Sequence, residues 1–145
     1  MKMAYRYLGE IATADIAFEA TGASLEEAFT AAAEALTNVM IEEPDRIERK
    51  KKIDVRLDNT DADMLLFDFL GELVYYKDAK RLLLRVDRIC VTKDDSGYSL
   101  SALLSGEELD PKKHPLGADV KAVTLHMFRL EQTDGGWKAT VVLDI

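Results

Sequence analysis

The sequence predicts an α+β fold, a mainly antiparallel or mixed sheet of about six to seven strands with two helices packed on one face. Three observations carry that expectation. Two segments repeat apolar residues every three or four positions, the spacing of a helix with one buried side. Most of the remainder alternates apolar and polar residues, the period of a half-buried strand. Two turn signals, Asp94-Asp95-Ser96-Gly97 and Thr133-Asp134-Gly135-Gly136, join such runs as hairpins. One domain spanning 1–145 is expected, long enough to bury most of its apolar surface.

In chain order, Ala14, Ile16, Phe18 and Ala20 alternate with Thr13, Asp15, Ala17 and Glu19 as a first strand. Ser24-Leu25-Glu26-Glu27 reads as a capping box, in which the Ser24 oxygen accepts from the Glu27 amide and the Glu27 carboxylate reaches back. The helix it opens carries Leu25, Ala28, Phe29, Ala32, Leu36, Val39 and Met40 on one face and stops before Pro44. Ile53, Val55 and Leu57 alternate with Lys52, Asp54 and Arg56 in the next strand. A second helix is predicted over 61–78, with acidic residues at its start favouring the positive end of the dipole. Its Leu65, Leu66, Phe69, Leu70, Leu73, Val74 and Tyr76 cover most of the circumference, so it is expected to be the more deeply buried helix.

Residues 82–91 form a long strand whose apolar phase shifts near Arg88, the mark of a bulge. Tyr98, Leu100, Ala102 and Leu104 form the following strand, and 123–131 and 137–143 flank the last hairpin turn. Residues 106–120 fit no period, and Pro111 and Pro115 interrupt any element there. Loops of that length inside a small domain tend to serve function. This one carries Glu107, Glu108, Asp110, Lys112, Lys113, His114 and Asp119, and Lys121 follows it.

Composition narrows the classes. The net charge is −8, from 19 basic and 27 acidic residues, which disfavours a broad phosphate-binding surface for DNA or RNA. The local exception is 46–52, with Arg46, Arg49, Lys50, Lys51 and Lys52, readable as a solvated strand entry or as a contact surface for RNA or an acidic partner. No stretch of about 18 apolar residues exists to span a membrane. The opening residues run into mixed sequence with no apolar signal segment, and the single cysteine, Cys90, cannot form an internal disulfide. The expected compartment is the cytoplasm.

Candidate chemistry gathers at the Asp144-Ile145 end. It closes an apolar run that reads as a strand, and an aspartate and a terminal carboxylate one residue apart repel unless a cation neutralises them. An oxygen-seeking divalent metal, with calcium the expected ion, suits such donors. By period Asp144 falls with Lys138, Thr140 and Val142, and Asp15 lies on the polar face of its strand. If those strands are neighbours, Asp15, Asp144 and the Ile145 carboxylate converge as three donors. The alternative is that both aspartates simply end strands. His114 and His126 are the only histidines, and no H-x-x-x-H or C-x-x-C spacing exists. His126 shares a period with Thr124, Phe128 and Leu130, which predicts a packed or hydrogen-bonded structural role; His114 reads as exposed in its loop or as functional. Asp68 and Glu72 share a helix face as an acid/base pair or a surface stripe. No G-x-S-x-G elbow or Gly-rich phosphate loop is present.

Thr13-Ala14-Asp15-Ile16, Gly22-Ala23-Ser24-Leu25-Glu26-Glu27-Ala28-Phe29, Leu65-Leu66-Phe67-Asp68-Phe69-Leu70, His114, Val120-Lys121-Ala122-Val123-Thr124-Leu125-His126 and the closing stretch from Trp137-Lys138-Ala139 to Asp144-Ile145 together resemble the archease family over nearly the whole chain. That resemblance implies a small, acidic, non-enzymatic protein cofactor of an RtcB-type RNA ligase, which joins tRNA halves using GTP and manganese through a guanylylated histidine. It implies faster ligase guanylylation and multiple turnover in tRNA splicing. It also assigns a divalent metal, with calcium seen in the family, to Asp15, Asp144 and Ile145. The family's functionally important lysine falls on Lys121, and His114 matches a family position without a firm role. Many relatives place His directly before the T-A-D motif, where this chain has Ala12. RNA would be met only through the ligase. The rival readings are a small metal-dependent hydrolase using His114 as acid/base, and a chaperone-like factor for RNA-processing proteins.

Overall fold

The chain runs β1 (Ala4–Tyr7), β2 (Asp15–Gly22), α1 (Leu25–Met40), a short 3-10 turn (Pro44–Arg46), β3 (Lys51–Asn59), α2 (Ala62–Lys80), β4 (Leu82–Asp94), β5 (Gly97–Glu108), β6 (Ala122–Thr133) and β7 (Gly136–Asp144). The structure is a computed structural model that describes residues 1–9 and 15–145. Ala12 and the Thr13-Ala14 start of the first predicted strand lie outside the described residues. Among the described residues all strand pairs are antiparallel, and they form two sheets, ordered β1-β2-β7-β6 and β3-β5-β4.

The α+β class and antiparallel pairing match the sequence expectation; the arrangement of strands differs. Instead of one sheet with both helices on a face, two sheets share the helical pair. Helix α1 packs on β1, β2 and β7 of the first sheet and β4 of the second, and α2 on β3, β4 and β5 of the second and β6 of the first. Strand β1 was not foreseen: it is four residues long and exposed throughout, so it has no apolar alternation to read.

Local chemistry explains each helix. Ser24 caps α1 by accepting from the Glu27 amide at 3.2 Å, and Glu27 Oε1 returns to accept from the Ala23 amide at 3.1 Å. Phe29 of α1 stacks on Phe69 of α2, ring centroids 6.2 Å apart, at the centre of a core that includes Phe18, Leu36, Leu65, Leu104 and Leu143. Helix α1, not α2, is the more deeply buried. Its five buried alanines let both sheets approach closely, whereas Tyr75, Lys77 and the last turn of α2 reach solvent or other loops. Helix α2 ends at Arg81 in the left-handed conformation.

The predicted bulge lies between Val86 and Arg88. It turns Asp87 toward the Ser105 hydroxyl, which donates at 2.7 Å, and toward the Arg49 guanidinium. Beside it, β5 continues to Glu108, beyond the predicted start of the loop, because Gly106 lets β4 come close. A Cβ there would sit 1.6 Å from the Leu83 carbonyl oxygen. Much of the basic run 46–52 is spent within the molecule: Arg46 pairs with Glu43, Arg49 with Asp87, and Lys50 with Glu48 and Glu107. That supports a solvated, self-neutralised strand entry over a surface for RNA.

Candidate functional site

The first and last predicted strands are neighbours, and their register brings the candidate residues together. Asp15 of β2 stands opposite Asp144 of β7, and Asp144 in turn stands opposite Ala122 of β6. Directly opposed residues of an antiparallel pair project to the same face with Cβ atoms about 4.5–5.5 Å apart. The two carboxylates therefore share one face at one end of the sheet. That face also carries Ala17 opposite Val142 and Glu19 opposite Thr140, and the Lys138 ammonium reaches Glu19 there at 4.0 Å. Asp15, Asp144 and Ile145 are half-buried, and Ile145 packs against the core.

Among the described residues, no side chain donates a hydrogen bond or forms an ion pair with either aspartate. Two opposed carboxylates repel, and a cation between them would relieve that repulsion. Two aspartates alone fall short of a protein-side cage. Among the described residues no three His, Cys, Asp or Glu side chains cluster as metal donors.

Lys121 joins this tip through its backbone. Its amide donates to the Asp144 carbonyl at 2.8 Å, and its side chain is exposed. The carbonyl of the same peptide group, on Val120, accepts from the Lys77 ammonium at 2.9 Å. One peptide is thus held at both ends, by α2 on its oxygen and by β7 on its nitrogen. Lys77 also contacts Asp119 at 3.0 Å and Asp78 at 2.7 Å. Burial alone would lower its pKa, but these two carboxylates outweigh burial and raise it. Sequence reasoning missed Lys77; a lysine in the last turn of a helix reads first as a complement to the dipole.

His114 lies elsewhere. It is fully buried, not exposed, and among the described residues no hydrogen bond or ion pair connects it to Asp15, Asp144 or Lys121. Its Nδ1 accepts from the Asp110 amide at 3.0 Å, so the proton sits on Nε2, which donates to Glu107 Oε2 at 3.0 Å. Glu107 also accepts from the Glu48 amide at 2.7 Å and from Lys113 at 2.8 Å. Burial would raise the Glu107 pKa, yet these donors hold it down to about 2. The network anchors the predicted loop, whose next stretch satisfies the end of α1: the Gly117 and Ala118 amides donate to the Met40 and Val39 carbonyls.

His126 also departs from expectation. It is exposed on an irregular part of β6, where the period that predicted packing is interrupted. Asp68 serves structure, accepting from the Asn59 amide group at 3.1 Å. Among the described residues no helix is long and apolar enough to cross a membrane.

This fold, two antiparallel sheets joined by a helical pair with an acidic end, has close counterparts. The model of the archease protein family (MTH1598/TM1083) matches residues 5–145. The archease of Methanosarcina mazei is 39% identical over 142 residues, covering 97% of this chain and 95% of that protein. The archease of Pyrococcus abyssi is 40% identical over 134 residues, covering 92% and 94%. The solution structure of protein 1598 of Methanobacterium thermoautotrophicum superposes with a TM-score of 0.84 at 32% identity, covering 97% of this chain and 98% of that one. A Thermotoga maritima archease described as a possible chaperone shares the fold, with a TM-score of 0.61 at 22% identity and coverage of 92% and 93%. The chain belongs to the archease family.

Proposed function

We propose that this chain is a non-enzymatic activator of an RtcB-type RNA ligase, speeding ligase guanylylation and sustaining multiple turnover in tRNA splicing and RNA repair, and acting in the cytoplasm. The observation that carries the reading is the tip: Asp15 and Asp144 in register on adjacent strands, with Lys121 and Ile145 beside them. Family membership supplies the expected partner. Asp15, Asp144 and the Ile145 carboxylate would hold a divalent cation, calcium being the expected ion, with backbone carbonyls and water completing its shell. When bound, the cation would neutralise the opposed carboxylates and offer a positive centre to phosphate oxygens.

The residues themselves do the rest. The acidic end of a chain of net charge −8 is steered toward the basic cleft of an RNA-handling enzyme. Lys121 projects from the same end, its backbone held by Lys77 and Asp144, where it meets a nucleotide phosphate or a ligase carboxylate. The hydrolase alternative loses its acid/base, since His114 is buried in the Glu107 network and, among the described residues, unconnected to the tip. The chaperone alternative has one support, the description of the Thermotoga relative, and it requires no Asp144. Guanylylation of the ligase is the test. Asp15→Ala and Asp144→Ala are expected to lose the stimulation that the wild-type chain provides; wild-type stimulation by both variants would sink the reading. Suppression of partner aggregation by Asp144→Ala, without any effect on guanylylation, would favour the chaperone.

A further inference from the structure

Beside the tip, the edge strand of the first sheet carries a large irregularity. Strands β6 and β7 are in register from Ala122 opposite Asp144 to Thr124 opposite Val142, and again from Arg129 opposite Thr140. Between these stretches Leu125, His126, Met127 and Phe128 stand against Val141 alone. Both feet of the bulge are fixed. Thr124 Oγ1 donates to the Val142 carbonyl at 3.1 Å, and the Phe128 ring meets Phe67 of α2 edge-on at 5.5 Å. Its crest faces solvent: Leu125 is 61% and Met127 46% exposed. Met127 holds a φ of +55°, a left-handed conformation unfavourable for such a side chain.

A bulge on an edge strand can by itself turn the edge away from another sheet, but that task gives no reason to place large apolar side chains at the crest. Two large apolar side chains work against it and against solubility, and the left-handed Met127 adds strain. The crest begins three residues from Ala122, about 10 Å along the strand, so it flanks the row that holds Asp144 and Asp15. A second copy of this chain is a poor occupant, because each copy brings a net charge of −8 to the contact.

Resting on the function proposed above, we infer that Leu125 and Met127 form the apolar half of a docking surface whose charged half is the acidic tip. The occupant is the ligase, met by the crest when the acidic tip is drawn to that enzyme's basic, phosphate-handling side. The tip then governs what happens at the ligase centre, and the crest governs how tightly the two proteins hold together. Apolar anchors seated in a pocket commonly dominate such contacts.

The two roles separate in one titration. Leu125→Ser with Met127→Asn removes the apolar crest, and Asn tolerates the left-handed backbone, so the fold is kept. Ligase guanylylation is followed against the concentration of each chain. The double variant is expected to need at least about tenfold more protein for half-maximal stimulation, with the plateau and the calcium-induced thermal shift at wild-type values. Asp144→Ala is expected to lower the plateau instead. A double variant with the wild-type half-maximal concentration overturns this inference alone. So does sedimentation showing a wild-type dimer that the double variant dissolves, which assigns the crest to a second copy. Failure of the wild-type chain to stimulate at all overturns the functional reading together with the docking surface.

Discussion

Glu107 of β5 and His114 form a buried polar pair that ties the turn after β5 to the segment leading into β3, through the Asp110 amide on one side and the Glu48 amide on the other. The Glu107 carboxyl titrates near 2 in the fold against an ordinary value of 4.5, so its stabilisation is complete above about pH 4.5 and is lost as pH falls toward 2. Glu107→Gln is expected to cost about 1–3 kcal/mol at pH 7, because it leaves buried donors poorly paired. Thermal melts from pH 7 down to 3 should show the gap between the two proteins narrowing below pH 4.5; a constant gap would contradict the assignment. Lys77 makes a second residue-scale case. Lys77→Met should let the Lys121 amide exchange with solvent at least about tenfold faster, while Lys77→Arg keeps it protected, because an ammonium or guanidinium on the Val120 carbonyl fixes that peptide. Hydrogen exchange at Lys121 decides it. Neither histidine was legible in sequence. His114 sits among charged residues, and its burial follows from a partner seven positions earlier. His126 follows a clean strand period that the structure breaks at the bulge.

Elements were legible where their causes are local. The Ser24 box, the phase shift at Arg88 and the Gly135-Gly136 hairpin each depend on a few adjacent residues, and all three appear in the structure. The division into two sheets was not legible, because it turns on which distant strands pair, β2 with β7 and β3 with β5, and period alone does not say. The relative burial of the helices also escaped, since alanines that let sheets approach look less hydrophobic than leucines. Two element-scale outcomes follow from the same causes. Ser24→Ala should cost about 1 kcal/mol through loss of the α1 cap, measured by urea unfolding. Gly106→Ala should cost about 3 kcal/mol or more, since its Cβ meets the Leu83 backbone and forces β4 and β5 apart. A Gly106→Ala protein as stable as wild type would contradict the close approach drawn there.

For the whole molecule, sheet pairing turns two ends of the sequence into one place. Asp15 and Asp144 are 129 positions apart in the chain and opposite each other in the fold. The phase of each strand hinted that both carboxylates could share a face, and the family resemblance supplied the reason to pair them; only the register shows that they do. If the tip holds calcium as proposed, calcium is expected to raise the thermal midpoint, with about 2.7 kcal/mol of added stability at a concentration about a hundredfold above its Kd. Asp144→Ala should abolish the shift. Whether this chain activates the ligase is decided by the number of joined tRNA halves produced per ligase molecule, with ligase far below substrate. Wild-type chain should carry the ligase through many turnovers while the Asp144→Ala chain leaves it near a single one; equal turnover with either chain, or with none, would mean that the acidic tip does not activate the ligase.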